Sequence, residues 1–306
     1  MNKELKFSVI IAHLNNSAEL YYTLWDLFKE LNDFNYEIIV VDNGSKREEY
    51  DYIKEYIDKM KEGHNIKLFH YDEYQGTVPP WQYGIKQASG EYLIIIDSHV
   101  TVCKDYFKKQ YEVLKEDKEI KVLYSSSCFN YYNYEKTCRY YNFNIDNLDL
   151  HYANYDLGER NFNEPLVSQM GCVIVDREFF IKIGMWGNCF LKYGGYGAEE
   201  LILAVKTKMF GGKTIFNKDV FFHHSILKKF CGKKLRFQGK AVAAYILDGK
   251  DYMLKVIENM PILIKSELDD EEQKSLIEEI PQLADQDRKL LLTAPISYRE
   301  LLKKYE

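Results

Sequence analysis

No apolar run in this chain approaches the ~20 residues that a helix needs to cross a bilayer, which excludes a helical membrane span although 46% of the residues are hydrophobic. There is no Cys-x-x-Cys pair either. The 6 cysteines stand apart, at 103, 128, 138, 172, 189 and 231, so a zinc ribbon or dithiol redox motif is excluded and reduced, mostly buried thiols are expected. Positive charge is in deficit: 41 Lys and Arg face 47 Asp and Glu, for a net charge of −6. Nonspecific attraction to nucleic acid is therefore disfavoured, and the cluster Lys228, Lys229, Lys233, Lys234 and Arg236 reads as a solvated face. Met1 to Lys6 is polar and leads straight into an apolar stretch, which leaves no room for a secretory leader. A cytoplasmic location is expected, and no repeat of solenoid length is evident.

What is present is an alternation of apolar runs and amphipathic stretches. Phe7 to Ala12, Glu37 to Val41, Lys67 to His70 and Tyr92 to Ile96 read as strands, the first as a parallel strand covered on both faces. Between them helices are predicted from Ser17, offered as an N-cap, to about Phe34, from Arg47 to Lys61, and from Pro79-Pro80 to Ala88. This order predicts an α/β fold with a mostly parallel, doubly wound sheet and helices on both faces. From Phe129 to Asn163 the pattern dissolves into Tyr- and Asn-rich sequence, read as a functional loop or as a peripheral hairpin insertion. Order returns at Leu166 to Val175, and a helix over about Arg177 to Ile183, a helix from near Glu199 to before Gly211, and strands over Lys213 to Phe216 and Val220 to Phe222 follow. Residues 231–306 read as a helical extension to a domain of residues 1–230; its acidic amphipathic segment around Asp269 to Glu272 is suited to packing back, dimerising or binding an acceptor.

Chemistry concentrates where strands end. Asp97-Ser98-His99 follows the Tyr92 to Ile96 run; two apart on an extended segment, Asp97 and His99 project the same way and offer one cation a carboxylate and an imidazole. In open α/β sheets ligands bind beyond such strand ends. Asp42 ends another strand in Asp42-Asn43-Gly44-Ser45, where its carboxylate can accept from a ribose or a uracil imide and Gly44 permits close approach. His223-His224 ends a third and offers a further ligand; neighbours on a strand face opposite sides, so one of the two is expected to ligate. Glu199 and Glu200 open a helix, whose positive end stabilises carboxylates.

In order and spacing, these motifs resemble the GT-A glycosyltransferases, specifically the family 2 enzymes and the polypeptide N-acetylgalactosaminyltransferases. The likeness runs over about residues 7–225, through Ser8-Val9-Ile10-Ile11-Ala12, Val41 to Ser45, Gly76 to Gly90, Asp97-Ser98-His99, Gly171, Gly197-Ala198-Glu199-Glu200-Leu201 and the histidine pair. It implies a GT-A fold in which Ala12, His13 and Asn15 lie beside the base and ribose, Asp42, Gly76 and Ser98 line the nucleotide, and Gly171 passes close to the donor sugar. The histidine of Asp97-Ser98-His99 is typical of the N-acetylgalactosaminyltransferases and suits Mn2+ better than Mg2+. Their register puts the third ligand at His224, whereas family 2 sequences often place it at the first histidine, His223. Glu200 stands where inverting relatives carry the base and retaining ones commonly Asn, so two stereochemical signatures are mixed, and Glu199 would hold a sugar or acceptor hydroxyl. Trp81 and Gln82 replace the Arg or Asn common in the family, leaving that helix without the usual nucleotide contact.

The function implied is metal-dependent transfer of a hexose or N-acetylhexosamine from a UDP-sugar to an acceptor nucleophile on a glycan, protein, small molecule or modified nucleic acid. Two alternatives are a sugar-nucleotide pyrophosphorylase, whose glycine-rich loop is missing after the first strand, and a non-catalytic module that binds nucleotide or glycan. A homodimer through the C-terminal helices is compatible with the sequence.

Overall fold

Valine and isoleucine alternate between two cores along the inner strands. Val9, Ile11, Ile38, Val40, Ile94 and Ile96 belong to one buried cluster, and Ile10, Ile39, Val41, Leu93 and Ile95 to the other. A strand buried on both faces needs apolar residues at every position, which is why these segments read as unbroken hydrophobic runs. The structure, a computed structural model, describes residues 6–128, 139–154, 162–163, 167–225 and 233–304.

In chain order the elements are β1 (Phe7–His13), α1 (Ser17–Glu30), β2 (Tyr36–Asn43), α2 (Arg47–Met60), β3 (Ile66–Tyr71), α3 (Val78–Gln87), β4 (Tyr92–Asp97), β5 (Val100–Val102), α4 (Tyr106–Glu116) and β6 (Ile120–Cys128). There follow β7 (Arg139–Asn144), β8 (Asp149–Asn154), β9 (Phe162–Asn163), β10 (Val167–Ser168), β11 (Cys172–Asp176), α5 (Arg177–Lys182), α6 (Phe190–Tyr193), α7 (Glu199–Met209) and β12 (Lys213–His224). The chain then turns helical, through α8 (Lys233–Asp248), α9 (Lys250–Asn259), α10 (Ile262–Lys265), α11 (Asp270–Leu291) and α12 (Tyr298–Leu302).

The 9-stranded sheet runs β3-β2-β1-β4-β11-β6-β12-β5, with β9 paired to β12. Its first four strands are parallel, as the alternation predicts, and β6 pairs parallel with β12; β11 and β5 enter antiparallel. Helices α1, α2 and α4 cover one face, burying Leu20, Leu24, Leu27, Ile53, Ile57 and Phe107. The other face carries α3, α7 and α8.

Several local expectations are revised. Ser17 is the first helical residue rather than the cap: its N–H donates to Glu49 Oε2 at 3.0 Å and its hydroxyl to the Glu49 carbonyl at 2.8 Å, so α2 satisfies the start of α1. The two strands read between Lys213 and Phe222 are one, β12, with a register shift between Asn217 and Phe221. Within the Phe129 to Asn163 stretch, residues 129–138 and 155–161 lie outside the described residues; β7 and β8 pair as an antiparallel hairpin that joins β10 in a 3-stranded sheet. Lys228 and Lys229 also lie outside the described residues. Asp269, in the acidic segment, forms a capping box with Glu272 at the head of α11, and that helix packs back on α8 through buried Leu276, Ile280 and Ala284. No helix among the described residues is long and apolar enough to cross a membrane.

Candidate functional site

Because β3, β2, β1 and β4 are parallel neighbours, their carboxyl ends share one edge of the sheet. β4 delivers Asp97 there. Ser98 and His99 are a tight turn, not the extended segment expected, and β5 then runs antiparallel to the end of β12 with Val100 opposite His224. The Ser225 N–H closes this corner on the His99 carbonyl at 3.1 Å, and the Thr23 hydroxyl donates to the Ser98 carbonyl. The strand pairing thus brings Asp97, His99 and His224 together, with ligand atoms all within 4.8 Å of one another.

His224 Nε2 lies 2.8 Å from His99 Nε2 and 3.3 Å from Asp97 Oδ2, and the two rings stack 4.6 Å apart. Atoms that bind one octahedral ion side by side at ~2.1 Å are about 3 Å from each other, so both separations are those of adjacent corners of a coordination shell. Burial lowers the His99 pKa, which keeps its ring in the neutral form that ligates. One carboxylate oxygen and two imidazole nitrogens therefore fit a divalent cation. His223 faces the other way along β12, its ring meeting that of Phe221 at 5.2 Å, and is not in the cluster.

Ala12 is the register partner of Asp97, and His13 that of Asp42, which in turn faces His70 on β3. β2 and β4 are two strand spacings apart, about 10 Å, a span suited to a nucleoside between its base and its first phosphate. Asp42 is fully buried: Oδ2 accepts from His70 Nδ1 at 2.8 Å and from the Ser45 N–H at 3.2 Å, whereas Oδ1 has no partner. Beside it His13 is fully buried with neither ring nitrogen bonded, and that burial pushes its pKa down to about 4. An unmet buried acceptor next to an unmet buried imidazole marks a place for a polar ligand. Asn15, with φ +55, spans the adjoining loops: its N–H donates to Ser45 Oγ at 2.6 Å and its Oδ1 accepts from the Lys46 N–H.

Gly76 and Gly171 are explained by close approaches. Gly76, at φ +94, lies against the Gly194 backbone, where any Cβ would collide, and its carbonyl accepts from Asn43 Nδ2 at 2.7 Å. A Cβ on Gly171 would sit 2.6 Å from the Phe222 ring, and the Gly171 carbonyl accepts the Asp97 N–H at 3.0 Å, fixing the end of β4.

Glu199 and Glu200 open α7 as expected, but in different surroundings. Glu199 is buried and turned onto its own helix start, Oε2 accepting the Ala198 N–H at 2.8 Å; burial, then the charge of Glu200, raises its pKa. Trp186 is fully buried, stacks on Trp81 and donates to the Glu199 carbonyl at 3.0 Å. Glu200 is partly exposed, and desolvation, with Asp97 adding, raises its pKa to about 7. A carboxyl that titrates near neutrality within the electrostatic reach of Asp97 is equipped to move a proton.

Three participants are not marked by the sequence. His70 reads as an ordinary strand residue, Asn43 as half of a turn, and Arg236 as part of a solvated basic face. Arg236, from α8, passes over Gly197, has a buried Nε without a bonded partner, and opposes the rise in the Glu200 pKa. Its position depends on how α8 docks, which local pattern does not encode.

The family described as Glycosyl transferase family 2 matches residues 8–183, more than half of the 306-residue chain. Polypeptide N-acetylgalactosaminyltransferase 18 of Homo sapiens is 28% identical over 196 residues, which cover 58% of this chain and 30% of that relative. The chain thus spans about a third of the length of that curated relative. Among solved structures, GalNAc-T7 with UDP, GalNAc and Mn2+ superposes with a TM-score of 0.73 at 16% identity, over 99% of this chain and 57% of that one. The mannosyltransferase PcManGT of Pyrobaculum calidifontis, with GDP-Man and Mn2+, gives 0.54 at 13% identity, over 95% and 86%. These likenesses show the fold.

Proposed function

Since the chain belongs to glycosyl transferase family 2 and has the GT-A fold, we propose that it transfers a hexose or N-acetylhexosamine from a UDP-sugar to an acceptor nucleophile, and that the transfer depends on a divalent metal. The observation that carries this reading is the triad Asp97, His99 and His224, with two separations of 2.8 and 3.3 Å at the sheet edge where the parallel strands end. A mixed oxygen and nitrogen donor set favours Mn2+ over Mg2+, and Mn2+ is present in both structures compared above. A cation there would offset the charge that develops on the departing diphosphate.

The chain's own groups supply the rest. Asp42 takes an N–H of the base through its open oxygen, and His13 sits where a neighbouring polar group of the nucleoside would fall. Ala12 lies between base and metal with only a methyl group beside the ribose. Glu200 accepts the proton of the acceptor hydroxyl, and Glu199 fixes the head of α7 that carries it. The test is UDP release from a panel of UDP-sugars with and without Mn2+, in wild type, Asp97→Ala and His99→Ala. Turnover is expected to need Mn2+ and to fall by a factor of about 100 or more in both variants; undiminished turnover in either would refute the metal assignment.

A further inference from the structure

The fold alone does not dictate the base, because the structures compared above hold UDP in one case and GDP-mannose in the other. Asp42 bears on that choice. A carboxylate has two oxygens and about four acceptor directions, and here those of Oδ2 are already taken by His70 Nδ1 at 2.8 Å and the Ser45 N–H at 3.2 Å. Since an ionised carboxylate can only accept, His70 Nδ1 must carry the proton in this contact. His70 is itself held: its ring packs against Tyr50, with centroids 4.1 Å apart, and its Nε2 points towards Asp72 at 3.7 Å. Oδ1 is buried and bonded to nothing.

We propose that His70 is a positioning residue which sets the base preference of the donor site, by occupying one oxygen of Asp42 so that a single acceptor is left for the nucleotide. This rests on the reading of the strand-end site as the donor site. Uracil presents one imide N–H between two carbonyls, so one carboxylate oxygen satisfies it and a second would face a carbonyl oxygen. Guanine presents the N1–H and an N2–H side by side and needs both oxygens. With Oδ2 engaged, guanine would leave one of those donors unpaired in a buried site, and unpaired buried polar groups are what sites use to reject a wrong ligand. Neutral His13, next in register to Asp42, retains one N–H for a flanking uracil carbonyl.

The experiment is calorimetric titration of the protein with UDP and with GDP in the presence of Mn2+, for wild type, His70→Ala, His70→Phe and His70→Asn, with circular dichroism as the check on folding. Wild type is expected to prefer UDP by about tenfold or more. In His70→Ala and in His70→Phe, which keeps a ring against Tyr50 but has no N–H, that preference should shrink about tenfold, the worth of one buried hydrogen bond. His70→Asn, whose amide N–H can replace Nδ1–H, should restore it. A UDP:GDP ratio unchanged in both the Ala and Phe variants, or a wild type that prefers GDP, overturns the role of His70 and leaves the donor site standing. A wild type that binds neither nucleotide overturns the donor-site reading itself.

Discussion

Glu200 shows how far a residue's chemistry departs from what its letter implies. In the sequence it is half of an acidic pair at a helix start, where carboxylates are ordinary; in the fold, burial raises its pKa to about 7. A base must be deprotonated to act, so the rate of transfer should climb as pH rises through about 7 and level off above it. Glu200→Gln should lower kcat by about 100-fold and remove that climb, leaving KM for the donor little changed. A Gln variant that retained both the rate and the pH profile would show that another group takes the proton. The candidate metal ligands were legible as residue types because Asp97, His99 and the histidine pair each follow an apolar run. The choice of His224 over His223 needed the strand pairing, since alternation says only that the two diverge. His70 was illegible as a partner of Asp42, because that contact exists only once β3 lies beside β2.

At the scale of elements, β1, β2 and β4 were readable because burial on both faces writes continuous hydrophobic runs. β5 was not: its residues, Val100–Val102, are too few to show a period, yet this strand carries His224 to Asp97. α7 holds a different surprise, a lysine in its core. Lys206 is 1% exposed, donates to the Met185 carbonyl at 2.7 Å, and has its pKa pushed down to about 7 by burial, with Asp287 opposing. The unfolded chain binds this proton up to about pH 10.4 and the folded one only to about 7. Burial of Lys206 therefore costs stability in full below pH 7, and the cost fades as pH rises towards 10, at ~1.4 kcal/mol per unit. Lys206→Met should be the more stable protein at pH 6, by a few kcal/mol at order of magnitude, less about 1 kcal/mol for the unpaired Met185 carbonyl. Its advantage should narrow steadily by pH 9 in paired denaturant titrations; an advantage independent of pH would show that Lys206 is not neutralised on folding.

For the whole molecule the question is what the C-terminal helices do for an edge that none of their sequence resembles. Residues of α8, α9, α11 and α12, among them Phe237, Ala241, Met253, Ile280 and Leu301, share one buried cluster with Ile10 of β1, Trp81 of α3 and Leu201 of α7. The helices are thus part of the layer on which α7 rests. One polar link between them is Asp287 of α11, 6% exposed, whose oxygens accept the Asn188 and Cys189 N–H groups at 2.9 Å each. That loop runs into α6 and the glycines before Glu199, and its Gly187 carbonyl also receives Gln82 of α3 at 2.8 Å. Asp287→Ala would leave the buried Cys189 N–H and the part-buried Asn188 N–H without their acceptor and remove the opposite charge near Lys206, a loss of about 3 kcal/mol. Asp287→Asn keeps one acceptor oxygen and should lose about half as much. Thermal unfolding should place the midpoints in the order wild type, Asn, Ala. If α11 buttresses the strand-end edge proposed as the donor site, the Ala variant should also bind UDP more weakly at a temperature where it is still folded. Equal midpoints for wild type and Ala would mean that the helices stay docked through their apolar contacts alone.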